Sequence, residues 1–348
     1  MGPSKSMQMG PLSISRWDLF YKSQFKTKVP SPPVPPSTSL TGQTAIVTGS
    51  NTGLGFYACK HLLSLNLSRL IIAVRSKSKG ETAANELRKQ YTGKIEVWEL
   101  DMSSYDSIRD FVRRVESELE RLDIAILNAG VGRLKFTLNP STGHEESIQT
   151  NYLSTFLLSI LLLPALKNKS PAGKPGHLTL INSAMGYWAK FPNRTQVPLL
   201  ASFDDEKITP WDPQERYAVS KALGHLFFPR LAEYVSADDV VMNMVEPGFI
   251  KGSNLQRDAK GTMRVAVGIF AGLTGRRVQD GAWTHVDAVA VKGKESHGCF
   301  LMNWGVLPFN EMVYTEEGKV IMDRLWDETM LEFAFAGVDG ILKDMKNE

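Results

Sequence analysis

The stretch Thr44-Ala45-Ile46-Val47-Thr48-Gly49-Ser50-Asn51-Thr52-Gly53-Leu54-Gly55 decides the fold of this chain. A short apolar strand, Thr44–Thr48, runs into a glycine-rich turn, and a helical pattern follows through Leu65. Glycines permit the tight turn and let backbone N–H groups approach a pyrophosphate at the positive end of the helix. The stretch predicts a dinucleotide site, and a glycine-rich turn without a ligand is the alternative.

Outward from this stretch, strands and helices alternate along the chain. Further strands are predicted at Leu70–Val74, Ile95–Leu100, Ile124–Leu127, His177–Asn182, Val240–Val245 and Cys299–Asn303. Helices are predicted at Gly80–Tyr91, Tyr105–Leu119, Gly143–Leu166 and around Tyr217. This alternation indicates an α/β protein with a Rossmann-type, doubly wound parallel sheet. We expect a single domain over residues 40–303, with extensions at residues 1–39 and 304–348.

Composition excludes several classes of function. The chain has 348 residues, 43% of them hydrophobic, with 40 basic and 37 acidic residues interspersed. A nucleic-acid partner is not expected, because its binding surface would need a concentrated basic stripe. Two cysteines are too few for a disulfide framework, so we expect a reducing, cytoplasmic location. The six histidines show no metal-ligand spacing, and no metal site is predicted.

The longest apolar run, Leu153–Leu166, is too short to span a bilayer and is expected to be a buried helix, so no stable membrane span is predicted. Near the N-terminus, Ser15 and Asp18 predict a capped short helix. Its aromatic residues are expected to dock on the main body, with a membrane or partner contact as the alternative; they are Trp17, Phe20, Tyr21 and Phe25. Five prolines within Val29–Ser37 predict a stiff linker.

The stretch Glu215–Lys221 contains Tyr217 and Lys221, which are four residues apart and therefore share one helix face. Asp212 is predicted to cap this helix, Pro213 suits its first position, and Glu215 is predicted to close a capping box. A tyrosine titrates near pH 10, about three units above neutrality. A fixed ammonium and a second positive charge would lower that pKa.

Three motifs together resemble those of the short-chain dehydrogenase/reductase family, and they occur in the family's order. They are Thr48–Gly55, Leu127-Asn128-Ala129-Gly130 and Tyr217-x-x-x-Lys221. The resemblance extends over about Leu40–Asn303. Within the family, the chain is similar to the retinol-dehydrogenase-like branch, especially reductases of fungal secondary metabolism. It implies hydride transfer at a carbonyl or alcohol carbon. Epimerases and dehydratases of the extended branch are a further alternative. The glycine-rich turn typical of that branch resembles Thr-Gly-x-x-Gly-x-x-Gly, and this chain lacks it.

The resemblance also implies roles for individual residues. Ser183 would bond the substrate oxygen, Tyr217 would transfer the proton, Lys221 would lower the pKa of Tyr217 and orient the ribose, and Asn151 would hold a water beside Lys221. The implied cofactor contacts are Gly49, Ser50, Asn51, Thr52, Gly53, Leu54, Gly55, Asp101, Asn128, Ala129, Gly130, Tyr217, Lys221, Pro247 and Gly248. The family's threonine after Pro247-Gly248 is missing, and Ser253 is the nearest hydroxyl.

Charge after the second strand indicates the cofactor. Enzymes that use NAD place an acid there to accept the ribose 2′-hydroxyl. Here Arg75 follows the strand, and the first carboxylate is Glu81. An arginine fork suits a 2′-phosphate, so NADP(H) is predicted, with a merely solvated basic turn as the alternative.

The interval between Ser183 and Tyr217 predicts the substrate. This loop, residues 184–216, is rich in large apolar side chains and is expected to form one wall of an apolar pocket, with segments beyond Pro247 as the other. Plain packing of the loop is the alternative. The predicted substrate is a lipophilic ketone, aldehyde or alcohol, such as a polyketide- or terpenoid-like intermediate. A general carbonyl reductase of the retinol or steroid type and a catalytically silent NADP(H)-binding regulator remain alternatives, and a homo-oligomer is left open.

Overall fold

A computed structural model of the chain describes residues 2–251, 272 and 274–346. These residues contain the strands β1 (Thr44–Thr48), β2 (Arg69–Val74), β3 (Lys94–Glu99), β4 (Ile124–Leu127), β5 (Gly176–Ile181), β6 (Val240–Glu246), β7 (Ile250–Lys251), β8 (Arg276–Arg277), β9 (Cys299–Met302) and β10 (Gly305–Leu307). Eight of them form one sheet in the order β10-β9-β6-β5-β4-β1-β2-β3, and β7 and β8 pair separately.

The sheet is parallel except at one edge. Strand β1 pairs in parallel with both β2 and β4, so the strand order reverses direction beside β1. In such sheets the ligand crevice lies outside the carboxyl ends of the strands at this switch point. The exception is β10, which pairs antiparallel with β9 after a turn at Asn303 and Trp304, both with positive φ.

The helices cover both faces of the sheet. They are α1 (Lys5–Gln8), α2 (Arg16–Tyr21), α3 (Gly53–Ser64), α4 (Lys77–Arg88), α5 (Tyr105–Glu118), α6 (Glu146–Ile148), α7 (Thr155–Lys169), α8 (Pro213–Ala232), α9 (Val278–Ala290), α10 (Glu316–Glu332) and α11 (Val338–Lys346). Buried residues of α3, α4 and α9 form the core on one face. Those of α5, α7, α8, α10 and α11 form the core on the other. The predicted doubly wound architecture is confirmed.

Most predicted elements agree with the structure within three residues at either end, and caps explain where two of the helices begin. Helix α4 begins at Lys77 rather than Gly80, because the Ser76 hydroxyl accepts from the Lys79 N–H. The helix predicted from Gly143 begins at Glu146, where the Glu145 carboxylate accepts from the N–H groups of Ser147 and Ile148. Strand β10 was not predicted, since three residues carry too little periodicity.

The apolar run Leu153–Leu166 lies in the helix Glu146–Lys169, in which a π-helical turn, Gln149–Ser154, joins α6 to α7. By length and composition this helix alone, among the described residues, could cross a membrane. In the structure its most apolar window is 94% buried between the sheet and the outer helices, as a core helix would be.

The N-terminal segment packs differently from the prediction. Ser15 caps α2 as expected, but the buried residue of this helix is Leu19. The aromatic side chains Trp17, Tyr21 and Phe25 are half or more exposed, so the prediction of a docked aromatic stripe is wrong for these three. The helix docks instead through Leu19, which lies in the main core, and through a ring contact of Phe20 with Phe249.

Candidate active site

The glycine-rich turn joins β1 to α3 at the switch point. Gly49 and Gly53 have φ of +63° and +61°, which favour glycine. A Cβ added at Gly55 would lie 2.5 Å from Asn128 Nδ2 and 2.9 Å from the Gly49 oxygen. The N-cap residue of α3, Thr52, makes no side-chain cap hydrogen bond, so the first N–H groups of α3 lack that partner. This cradle fits a cofactor pyrophosphate.

The side chains of this turn differ in how accessible they are to a bound cofactor. The Ser50 hydroxyl donates to the Val47 oxygen at 2.7 Å and is fully buried, so only the backbone of Ser50 faces the cradle. Leu54 packs near Gly281 of α9. Asn51 is half-buried and Thr52 is exposed. The predicted contacts of this stretch are therefore chiefly backbone contacts.

The segment after β4 braces the turn from the side. Asn128 Nδ2 donates to the Thr48 oxygen at 2.9 Å, and the Ala129 N–H donates to Thr48 Oγ1 at 2.9 Å. His285 of α9 lies with Nε2 3.3 Å from Asn128 Oδ1, and burial lowers the pKa of His285 to about 3, so the ring is neutral. Sequence reasoning missed His285, because its partner is 157 positions away. Gly130 is exposed at the edge of the crevice.

Two residues flank the predicted adenosine side. Arg75 is exposed at the end of β2 and forms no salt bridge with the part of the chain that the structure describes. The nearest following acid, Glu81, is paired with Arg88 at 2.8 Å, so it does not neutralise Arg75. Asp101 accepts from the Ser103 N–H at 2.9 Å through Oδ1. A free guanidinium here fits a 2′-phosphate.

The predicted catalytic residues converge from separate elements. Helix α8 carries Tyr217 and Lys221, with the Lys221 ammonium 5.9 Å from the centre of the Tyr217 ring. Lys221 Nζ also donates to the Ile181 oxygen of β5 at 3.0 Å. Ser183, which follows β5, hydrogen-bonds to Tyr217. Strand β5 and helix α8 thus place one hydroxyl pair beside one ammonium.

Asn151 lies in the π-helical turn on the other side of Lys221. A Cβ added at Gly130 would lie 3.2 Å from Asn151 Oδ1 and 3.9 Å from Lys221 Nζ. Both hydrogens of Asn151 Nδ2 are used, one by the Val131 oxygen at 2.8 Å and one by Ser220 Oγ at 3.0 Å. Oδ1 accepts from the Val131 N–H. The side chain braces the crevice, so it has no free donor for a water beside Lys221.

Burial shifts the pKa values of the catalytic pair in opposite directions. It raises the pKa of Tyr217 to about 12, although the hydrogen bond from Ser183 acts against the shift, and the charge of Glu246 adds to it. Burial lowers the pKa of Lys221 to about 8. In the polypeptide alone the pKa of Tyr217 is therefore raised, because loss of water outweighs the favourable contacts of the phenolate. The predicted lowering needs a second positive charge besides Lys221, and it stays a prediction for the cofactor complex.

The far end of the site joins two predicted residues, Pro247 and Gly248, to two that the sequence analysis did not single out, Glu246 and Arg276. Pro247 and Gly248 are buried, and the Pro247 oxygen accepts from Arg276 Nη1 at 3.3 Å. Glu246, just before them, is 4% exposed. A single acid closing an apolar strand was a signal in the sequence that went unused. Ser253, the predicted substitute hydroxyl, lies outside the described residues, as do residues 252–271 and 273 of the second predicted pocket wall.

The loop 184–216 is mostly packing rather than pocket wall. Its largest apolar side chains lie in the main core, 5% exposed or less; they are Tyr187, Phe191, Leu199, Leu200 and Phe203. Val197 points to solvent, 72% exposed. Trp188 and Trp211 are half-buried, and Trp211 Nε1 donates to the Leu134 oxygen. The prediction of a pocket wall is therefore wrong for Phe191, Leu199, Leu200 and Phe203. Tyr187, although buried, borders a cleft beside Trp188, so the wall reduces to Tyr187 and the two tryptophans.

The capping box predicted at α8 is also corrected. Asp212 caps the helix by accepting from the N–H groups of Gln214 and Glu215, and Pro213 occupies its first turn, as predicted. The Glu215 carboxylate instead accepts from the N–H groups of Lys190 and Phe191, at 2.8 Å each. Phe191 has a φ of +51°, which the carboxylate and the core contacts of the ring hold in place. Glu215 therefore fastens the loop to the catalytic helix.

Within residues 2–251, 272 and 274–346, no three His, Cys, Asp or Glu side chains are grouped closely enough to hold a metal ion.

Comparison with known proteins agrees with this geometry. A family described as short chain dehydrogenase matches residues 43–194. The short chain dehydrogenase/reductase mfmJ of Annulohypoxylon moriforme is 56% identical over 328 residues, 94% of either chain. The short chain dehydrogenase virL of Hypocrea virens is 41% identical over 317 residues, covering 90% of this chain and 92% of that protein. The solved Pseudomonas aeruginosa RhlG/NADP active-site complex shares the fold, with a TM-score of 0.57 at 22% identity over 80% of this chain and 99% of that chain.

Proposed function

This chain belongs to the short-chain dehydrogenase/reductase family, and on that premise we propose that it is an NADP(H)-dependent reductase of a carbonyl on a lipophilic substrate. The convergence of Ser183, Tyr217 and Lys221 at one edge of the sheet carries the proposal. The substrate would be a ketone or aldehyde, such as a polyketide- or terpenoid-like intermediate of secondary metabolism. The reverse reaction would oxidise the matching alcohol.

Each catalytic side chain has a defined task in this proposal. Ser183 would donate a hydrogen bond to the carbonyl oxygen and orient the carbon for attack. Tyr217 would give its phenol proton to that oxygen as the carbon gains a hydride, so that the C=O bond becomes CH–OH. The charged Lys221 would stabilise the tyrosinate that remains. NADPH, when bound, supplies the hydride, and the glycine cradle and Arg75 are the residues that would hold it.

In the polypeptide alone, the raised pKa of Tyr217 favours the protonated phenol that carbonyl reduction uses. With a pKa raised to about 12 by burial, the phenol is protonated at neutral pH and ready to donate. Alcohol oxidation needs the phenolate as a base, and this form becomes abundant only at alkaline pH. Reduction is therefore expected to be fast near neutrality, and oxidation to increase with pH.

Apolar residues around Ser183 support a lipophilic substrate. Ala184 and Met185 follow it directly and are half-buried beside the main core. Trp188 lines a cleft of about 420 Å³ together with Leu12, Ile14, Trp17 and Tyr187, and Ser15, Arg16 and Glu311 form the polar part of its lining. The ring of Trp188 meets Trp17 edge-on. The apolar part of this cleft, which lies next to the catalytic residues rather than between them, would bury part of an apolar substrate.

A turnover screen tests the proposal. We expect NADPH to be consumed with bulky lipophilic ketones or aldehydes, and more slowly with small sugars or hydroxy acids. NADH serves as the cofactor control in the same assays. NADPH binding without turnover of any carbonyl would favour the silent regulator, and preference for small hydrophilic substrates would contradict the lipophilic assignment.

A further inference from the structure

One helix of the N-terminal extension, α2, bridges the two turns that border the proposed active site. The Trp17 ring of α2 meets the Trp188 ring edge-on, with ring centroids 6.3 Å apart. The Phe20 ring of the same helix contacts the Phe249 ring, again with centroids 6.3 Å apart. Trp188 ends the turn that follows the catalytic serine, and Phe249 comes directly after the Pro247-Gly248 turn. The extension therefore lies beside both turns.

Hydrogen bonds hold α2 in this position. Arg276 of β8 donates through Nη1 to the Pro247 oxygen at 3.3 Å and through Nη2 to the Ser23 oxygen at 2.7 Å. Ser23 directly follows α2 in the turn Lys22–Lys26 and is fully buried. At the other end of the helix, Arg16 forms a salt bridge with Glu311 at 2.7 Å. The extension is therefore fastened to the domain at both ends of α2.

The cleft of about 420 Å³ lies between the extension and the turn that follows the catalytic serine. Its apolar lining comes from both sides, with Leu12, Ile14 and Trp17 from the extension and Tyr187 and Trp188 from the turn. Trp17 is 72% exposed, although it is the largest apolar side chain of α2. Exposed apolar surface that lines a concave space is typical of a ligand site.

The cleft lies within reach of the proposed catalytic residues. The 3₁₀-helical turn Ala184–Trp188 follows Ser183, whose hydroxyl accepts from the Met185 N–H at 3.2 Å. At about 2 Å per residue of 3₁₀-helix, Trp188 lies about 10 Å along this turn from Ser183. A substrate whose carbonyl oxygen is bonded by Ser183 therefore needs a tail several bonds long to reach the two tryptophan rings.

We propose that Trp17 of the N-terminal extension and Trp188 of the loop 184–216 form opposite walls of a subsite that binds the apolar tail of the substrate and selects carbonyl compounds with a long tail. This inference rests on the proposed function, because Ser183 would hold the carbonyl end of the same molecule. It makes the extension a determinant of specificity. Sequence analysis missed this wall, because the extension was expected to lie outside the domain over residues 40–303.

The test compares two exposed aromatic residues of α2. Trp17→Ala removes the proposed wall, and Tyr21→Ala is the matched control, since Tyr21 is 51% exposed and is not among the described residues that line the cleft. We expect Trp17→Ala to raise KM for methyl nonyl ketone about tenfold, the effect of losing contact with about two methylene groups. KM for methyl ethyl ketone, whose tail is too short to reach the cleft, should not change. Tyr21→Ala should match the wild type with both ketones.

A binding measurement separates this inference from the proposed function. Equilibrium dialysis of methyl nonyl ketone against the full-length protein is carried out with NADP⁺, which carries no hydride and permits no reduction. Trp17→Ala should bind the ketone about tenfold more weakly than the wild type. Trp17→Phe, which keeps an aromatic ring at the wall, should bind it nearly as tightly as the wild type, and so should Tyr21→Ala.

Equal ketone affinity in Trp17→Ala and the wild type would overturn the inference, even if the chain proves to be an active reductase. An equal loss of affinity in Tyr21→Ala would also overturn it, because the effect would then not depend on the cleft. Sedimentation with phosphatidylglycerol vesicles tests the other use of an exposed tryptophan. If Trp17→Ala lost vesicle binding and kept its ketone affinity, Trp17 would belong to a membrane contact instead.

Discussion

At the scale of single residues, one cause acts on two catalytic groups with opposite results. Burial makes the Tyr217 phenol a weaker acid and the Lys221 ammonium a stronger one, which brings their pKa values to about 12 and about 8. At neutral pH the pair is therefore a neutral phenol next to an ammonium. This is the state from which a proton can be given to a carbonyl oxygen, and the ammonium then faces the tyrosinate formed.

Removal of the phenol tests this assignment. Tyr217→Phe keeps the ring and its packing, so NADPH affinity should persist while kcat falls at least about a hundredfold, the usual effect of losing a general acid. Affinity is measured by cofactor fluorescence, and kcat with any ketone that the wild type reduces. Tyr91→Phe, on the opposite core, is the control. A near-normal kcat in Tyr217→Phe would exclude this residue as the proton donor.

The cofactor prediction also depends on one residue. Arg75→Asp replaces a guanidinium that forms no salt bridge among the described residues with a carboxylate that would repel a 2′-phosphate and accept from a 2′-hydroxyl. We expect kcat/KM with NADPH to fall at least about tenfold, while kcat/KM with NADH changes much less. Lys89→Asp, exposed at the far end of α4, controls for the change in net charge. An unchanged NADPH-to-NADH ratio would mean that the 2′-phosphate is recognised elsewhere.

At the scale of elements, the sequence predicts structure that depends on neighbouring residues along the chain. It does not predict structure that depends on contacts between distant residues. The strand Thr44–Thr48, the glycine-rich turn and the Asp212 cap follow from local patterns, and the structure has all three. The destination of the Glu215 carboxylate depends on a loop backbone 24 and 25 positions away. Similarly, hydrophobicity alone does not distinguish a pocket wall from core packing, and it is the fold that buries Phe191.

The loop 184–216 therefore gives a contrast between two aromatic residues. Phe191→Ala should lower the free energy of unfolding by about 3–5 kcal/mol, because it empties a fully buried site, and should reduce activity on small and bulky substrates alike. Trp188→Ala removes a half-buried side chain at the cleft, and should raise KM for bulky substrates with little loss of stability. Urea unfolding and kinetics with two substrate sizes separate these effects. Equal losses of stability and of activity in Phe191→Ala and Trp188→Ala would contradict the assignment of Trp188 to a substrate pocket.

At the scale of the whole molecule, both ends of the chain are built into the structure around the site. The buried Ser6 hydroxyl donates to the Leu307 oxygen of β10 at 2.6 Å and accepts from the Phe300 N–H of β9 at 2.9 Å. From the other end, the Glu328 carboxylate of α10 accepts from the N–H groups of Leu199 and Leu200 at 2.7 Å each. None of these contacts could be predicted from local sequence patterns, because each joins residues more than 100 positions apart.

One histidine links three such distant parts and makes stability depend on pH. His144, just before α6, lies with Nδ1 2.8 Å from Asp204 of the loop and Nε2 3.3 Å from Glu332 of α10. Burial lowers its pKa, but the hydrogen bonds and charges of Asp204 and Glu332 outweigh burial and raise it to about 9. The same contact lowers the pKa of Glu332. A charged imidazolium therefore holds the loop and the C-terminal helix against the domain.

The folded-state pKa of His144 is above its unfolded value of 6.5, so the folded protein binds the proton more tightly. The resulting stabilisation is complete below about pH 6.5 and is lost as the pH rises through about 9, a loss of up to about 3 kcal/mol. We expect His144→Gln to be less stable than wild type at about pH 6 and nearly equal to it at about pH 9.5, as measured by urea unfolding. If the difference in unfolding free energy between His144→Gln and wild type were equal at both pH values, His144 would contribute through packing instead. Packing does not change with protonation, whereas the contribution of the charged imidazolium disappears when it loses its proton.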